Sequence, residues 1–179
     1  MKIPIFACFG FLHVTVVAAQ QPVVDIAVLE REDVTLIRTT HKIQAPQQVV
    51  WSVLTDCPGG KRILPHFESC RIVSRDLSGR WDIREHVMNP PLLPRVRTVA
   101  CNEFEPPRRL SFKLIEGDLR VSEGTWTLTL EGKVTRVKYD ARVASGFSMP
   151  PFLLEAAIRR DFTSMLLALD EVSRDEAQR

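Results

Sequence analysis

The sequence predicts an α+β domain in which an antiparallel sheet of about seven strands is covered on one face by helices. Three observations carry this. Alternating apolar and polar residues recur from about residue 69 to residue 145, interrupted by turn formers. A C-terminal run, PFLLEAAIRRDFTSMLLALDEVSRD, continues after its opening proline without another proline or any glycine. A short helix interrupts the chain straight after the first strand.

The first strand is DVTLIRTTHKIQ, residues 33–44, loosely alternating and rich in β-branched types. Ala45-Pro46 ends it and starts a helix, because a proline in the first turn lacks only an N–H that would be unpaired anyway. In QQVVWSVLTD the residues Val50, Trp51 and Leu54 form a short apolar face, and Asp56-Cys57-Pro58-Gly59-Gly60 closes it. KRILPHF supplies a second helical turn or two. SCRIVSRD and RWDIREHVM then read as a hairpin joined at LSG. In the second of these strands Trp81, Ile83 and Val87 share one parity, and Asp82, Arg84 and His86 the other.

NPPLLPR holds three prolines and cannot be a central strand. RVRTVACNEFE and LSFKLIE resume the sheet, the latter with Leu110, Phe112 and Leu114 on one face. In EGDLRVSEGTWTLTLEG, Trp126, Leu128 and Leu130 alternate with Thr127 and Thr129. VTRVKYDARVAS places Val137, Tyr139, Ala141 and Val143 opposite Arg136, Lys138, Asp140 and Arg142, the pattern of a sheet dry on one side and wet on the other. The final helix presents Leu154, Ile158, Phe162, Met165 and Leu169 as one stripe. About 23 residues of helix span roughly 35 Å, enough to cross the sheet.

At 179 residues the chain suits one domain, and 45% hydrophobic with 26% charged residues excludes a disordered class. A net charge of +2, with both signs interspersed, lacks the footprint of a nucleic-acid binder. Residues 1–19, MKIPIFACFGFLHVTVVAA, read as a signal peptide with small residues before a cleavage point near Ala19, and hence as export to a periplasm or the exterior. An uncleaved membrane anchor is the alternative. Residues 20–32 then form an N-terminal extension, 33–174 the domain and 175–179 a tail.

After cleavage three cysteines remain, Cys57, Cys70 and Cys101. Cys57 and Cys70, close in sequence, are the candidate disulfide pair; three separate buried thiols are the alternative. His41, His66 and His86 lie on different segments with no metal-ligand spacing, so no metal site and no cofactor are expected. Glycine-loop and serine-elbow motifs are absent from the sequence.

The order of elements resembles the helix-grip fold of the START-like (SRPBCC) superfamily, which includes polyketide cyclase/dehydrase-type and coenzyme Q-binding proteins. IQAPQQVVWSVLTD, ILPHFESCRIVSRD, EGDLRVSEGTWTL and MPPFLLEAAIRRDFTSMLLAL carry the resemblance in that order. It implies a curved sheet wrapped around the C-terminal helix with an apolar cavity between them. Gly117, Gly124 and Gly132 are spaced to bend such a sheet.

The cavity wall expected from the parities comprises Trp81, Ile83 and Val87, then Phe112 and Leu114, then Trp126 and Leu128. Val137, Tyr139 and Ala141 continue it, and Leu154, Ile158, Phe162 and Met165 close it from the helix. Ser122 stands where relatives often carry an aromatic, so an inward Ser122 makes the pocket roomier or more polar. Glu85 shares the parity of Trp81; it is either an inward acid/base group with Arg38 as partner, or solvated if a bulge shifts the strand. The resemblance implies an exported binder of a hydrophobic small molecule such as a lipid or isoprenoid quinone, with transient membrane contact. A cyclase/dehydrase-type enzyme is the runner-up, and an interaction module with a filled cavity the third reading. Oligomeric state is open.

Overall fold

The computed structural model describes residues 22–29, 34–91, 93–148 and 150–179, so the leader read from residues 1–19 and Met149 of the MPPF segment lie outside the described residues. Eight strands form one antiparallel sheet in the order β1-β2-β8-β7-β6-β5-β4-β3. They are β1 (Val23–Leu29), β2 (Val34–Ile43), β3 (Phe67–Arg75), β4 (Trp81–Met88), β5 (Val96–Glu105), β6 (Arg109–Gly117), β7 (Leu119–Glu131) and β8 (Val134–Ser145). The helices are α1 (Gln47–Thr55), a 3-10 turn (Pro58–Arg62) and α2 (Pro151–Ala177). The helix-grip fold is therefore present, with one strand more than the seven expected. The addition is β1, which lies in the segment read as an extension and pairs along its whole length with β2.

Both helices begin as their prolines dictate. The Pro46 carbonyl accepts from Val49 and Val50 N–H, and the Pro150 carbonyl from Leu153 and Leu154 N–H. Proline at these positions donates nothing that the first turn could use, while its carbonyl opens the ladder.

The sheet bends where its register breaks. Pairing shifts between Val99 and Ala100, between Leu119 and Val121, and at two places in β3. Gly117 has φ +140°, and a Cβ there would stand 2.3 Å from the Arg97 carbonyl oxygen. At Gly124 a Cβ would stand 2.5 Å from the Asp140 carbonyl oxygen and 2.6 Å from the Ala141 Cβ. Only glycine lets β6 approach β5 at Gly117 and β7 approach β8 at Gly124 this closely, so the bend is written into these two positions.

The packed core lies toward β2, β7 and β8. Ile37, Ile43, Leu128 and Val137 meet Leu166 and Leu169 of the C-terminal half of α2 and Val50 of α1. Trp51 pins α1 to the sheet through an edge-on contact with Phe104, centroids 6.3 Å apart. Thr135 Oγ1 donates to the Ala45 carbonyl at 2.7 Å, and Gln47 Nε2 to the Leu128 carbonyl at 2.8 Å, so hydrogen bonds tie the strand-to-helix turn to the sheet. Toward β3–β6 the same sheet curls away from the N-terminal half of α2, where Leu154, Ile158 and Phe162 are only half buried.

Candidate functional site: a cavity with an aromatic wall and a polar end

The space left by that curl is a cavity of about 330 Å³. One wall is aromatic. Tyr139 of β8 stacks on Phe112 of β6 with rings 8° from parallel, and packs against Trp126 and Phe162 at centroid distances of 4.3 and 4.9 Å. Burial pushes the Tyr139 phenol well above its ordinary range, so it stays neutral. Ser122 of β7 faces the cavity beside this wall, and Met165 closes it from α2. Of the wall residues named from the sequence, Phe112, Ser122, Trp126, Tyr139, Phe162 and Met165 border this one cavity.

The opposite end is polar, which the sequence pattern did not suggest. Asp82, Arg84 and His86 occupy the inward parity of β4, with Asn102 on the neighbouring β5. Arg84 Nε donates to both Asp82 carboxylate oxygens, at 2.9 and 2.8 Å, and Arg84 Nη1 to the Thr55 carbonyl at 3.0 Å. The guanidinium also lies over the Phe104 ring, 5.2 Å from its centroid. Asn102 Nδ2 donates to Asp82 Oδ1 at 3.1 Å. The two charged side chains are 10% and 7% exposed, so the pair is desolvated and held by hydrogen bonds on several sides. Burial, with help from Arg84, pushes His86 down to about 4 against an opposing pull from Asp82. At neutral pH it presents an uncharged imidazole to the cavity.

The parity expected for β4 is reversed. Trp81 is 37% exposed at a groove beside β3, and Ile83 is half buried; neither lines the cavity. Val87 is buried without lining it. Glu85 points outward, where Arg97 Nε donates to it at 2.7 Å and Arg71 Nη2 at 3.1 Å. Those two guanidiniums, Arg97 foremost, hold its carboxyl below the usual range. Arg38 is not its partner but pairs with Asp140 on the outer face, at 3.4 Å. The physical reason is local: Asp82 and Arg84 satisfy one another with help from Asn102 and the Thr55 carbonyl of α1, so they can face inward, while Glu85 meets arginines on both neighbouring strands.

Other expected wall residues sit elsewhere. Leu128, Val137 and Ala141 belong to the packed core, and Leu114, Leu154 and Ile158 do not reach the cavity. Their place is taken by Leu54, Ile63 and Leu64 from the α1 region and by Met88, Thr98 and Ala100 from β4 and β5. The signal that could have found the polar end is a pair of opposite charges two apart in a strand, as Asp82 and Arg84 are, which share a face and can pair there.

Cys57 and Cys70 are joined by a disulfide with Cα atoms 5.5 Å apart, which ties the turn after α1 to β3. Cys101 is a free, partly buried thiol whose pKa burial raises. Among the described residues no helix is long and apolar enough to cross a membrane.

Residues 43–170 match the family model described as polyketide cyclase / dehydrase and lipid transport. No curated protein matches the chain. Among solved structures, TTHA0849 from Thermus thermophilus is 26% identical with a TM-score of 0.68, covering 79% of this chain and 99% of that one. The STAR-related lipid transfer protein from Xanthomonas axonopodis superposes with a TM-score of 0.73 at 16% identity, covering 87% and 95%. The Zhui aromatase/cyclase from a Streptomyces species gives 0.68 at 18% identity, covering 79% and 94%. The last two share the fold. With its sheet, helix and cavity in place and 43–170 matched, the chain belongs to the polyketide cyclase / dehydrase and lipid transport family.

Proposed function

We infer that this protein binds a hydrophobic small molecule in the cavity, with the ligand's apolar body on the aromatic wall and a polar head toward Arg84, Asn102 and His86. One observation carries this: a single cavity of about 330 Å³ joins an aromatic wall to a desolvated polar cluster. That is the makeup of a site in which apolar contact supplies affinity and a few polar groups set orientation. A lipid or isoprenoid quinone-like molecule has this two-part chemistry. The START-type lipid transfer protein of the same fold supports the class. The leader-like run ending Val17-Ala18-Ala19 supports action outside the cytoplasm, carrying such a molecule between membranes.

Acid/base turnover of the cyclase kind is less well served. Glu85 faces away from the cavity, and His86 is too weakly basic, at about 4, to take up a proton efficiently near neutrality. Tyr139 holds its proton too firmly to give it up.

Native mass spectrometry of the purified full chain tests the reading. A bound apolar molecule that leaves on organic extraction is the expected result, with Glu85→Gln carrying as much as the parent. A chain that neither copurifies with nor takes up such a molecule contradicts it.

A further inference from the structure

Beside the polar end lies a cluster of which the cavity reading uses only His86. Cys70 and His86 are directly paired across β3 and β4, so their side chains leave the same face of the sheet. Cys57, at the start of the 3-10 turn, comes down onto that face from the α1 side. The two sulfurs and an imidazole nitrogen lie within 4.8 Å of one another. In sequence the three are 13 and 16 residues apart, which is why no spacing motif marked them. Cys57 and His86 also line the cavity.

We propose that the reduced form of this protein binds one zinc ion through Cys57, Cys70 and His86, with the fourth coordination position open to the cavity. Two thiolates and an imidazole are the donor set of a soft divalent ion, and three protein ligands with one open position distinguish a reactive zinc site from a closed structural one. The geometry needs little change. Tetrahedral coordination with Zn–S near 2.3 Å puts two thiolates about 3.8 Å apart. Cysteines whose Cα atoms are 5.5 Å apart reach that separation by turning their side chains. The cluster thereby has two states that hold the turn against β3, one covalent and one metal-bound.

Electrons and protons balance in the exchange. A dithiol reductant, small or protein-borne, passes two electrons and two protons to the Cys57–Cys70 bond and becomes a disulfide itself. Zinc then displaces the two thiol protons to solvent, and His86 contributes a ring-nitrogen lone pair without losing a proton. Water, or an oxygen of a cavity ligand, completes the coordination. The metal site rests on the three side chains and does not depend on what the cavity holds.

The test titrates zinc into full-length protein, reduced or oxidised, against a chromophoric chelator. About one equivalent should bind to reduced protein with sub-micromolar affinity and none to the disulfide form. Cys57→Ser and Cys70→Ser should each weaken binding by at least about 100-fold, and His86→Gln by about 10–100-fold, whereas Cys101→Ser leaves it unchanged. Cobalt in place of zinc should show tetrahedral ligand-field bands and thiolate charge transfer, altered in His86→Gln. Circular dichroism of the oxidised His86→Gln protein checks that this variant retains its fold. Equal zinc binding by the two redox forms, no binding by folded reduced protein, or loss of binding on Cys101→Ser would overturn the proposal.

Discussion

The two ends of this molecule are built from one sheet and one helix, yet one end is dry and the other hollow. At the β2–β8–β7 end, Ile37, Val137 and Leu128 interlock with Leu166 and Leu169, none more than 2% exposed. At the β3–β6 end the sheet bends away at the register breaks and the Gly117 turn, and half-buried Phe162 faces a void. The difference lies in what faces inward. The dry end presents branched aliphatic side chains that fill volume. The hollow end presents small residues such as Thr98 and Ala100 beside a charged pair that must be held in place by hydrogen bonds. A cavity persists because its buried charged pair is already hydrogen-bonded and its aromatic groups brace one another.

The contrast breaks most sharply at Asp82. Replacing it with alanine strands the Arg84 charge in a desolvated site and should cost about 3–5 kcal/mol in denaturant unfolding. The double variant Asp82→Leu/Arg84→Met should recover most of that loss, because an apolar pair of similar size leaves no charge unpaired. Double-variant stability equal to that of Asp82→Ala would mean that the pair is not the source of the penalty.

Next in size comes the helix. Leu166→Ala removes a fully buried side chain from the dry end and should cost about 3 kcal/mol. Phe162→Ala removes a larger side chain that already borders empty space, and should cost about half as much while weakening ligand uptake. Equal penalties would show that the two halves of α2 are packed alike.

The smallest single change expected is in the pH dependence on replacing His41. His41 of β2 is 4% exposed and its Nε2 has no hydrogen-bond partner. Burial holds its pKa below the ordinary value near 6.5, only partly offset by Asp170 of α2. The unfolded chain then binds a proton that the folded chain refuses, so stability is complete above about pH 6.5 and declines as pH falls toward the folded pKa. His86, pushed down to about 4, adds a decline of the same sign. His41→Gln should flatten part of this slope in pH-dependent unfolding, and an unchanged slope would exclude His41 as its source.

The same division explains what could be read from the sequence. β8 and the α2 stripe were legible because Val137, Tyr139, Phe162 and Met165 alternate or recur at the period of their element, and burial there is apolar. The Glu-Gly-Asp and Glu-Gly-Thr-Trp segments were legible as bends because glycine is required at those close approaches. β4 misled because the pattern argument assigns apolar residues to the inside, and here the inside is the polar end of a cavity. Trp81 and Ile83 followed that rule to the wrong face, while Asp82, Arg84 and His86 lay one residue away in register. No local pattern marks three side chains that converge from a turn and two strands, as Cys57, Cys70 and His86 do. β1 escaped notice because an edge strand's pairing is a property of its partner, β2, more than of its own sequence.

Filling the hollow end asks whether an apolar ligand is held there. Ala100 of β5 lines the cavity, so Ala100→Phe, with Ser122→Leu as a smaller filler, should occupy the ligand's space without touching the dry core. Titration with an environment-sensitive apolar fluorophore should give saturable, micromolar or tighter binding to the parent chain. Ala100→Phe should lose that binding at least about tenfold while keeping its circular dichroism spectrum. Undiminished binding in both folded fillers would place the ligand elsewhere and contradict the account.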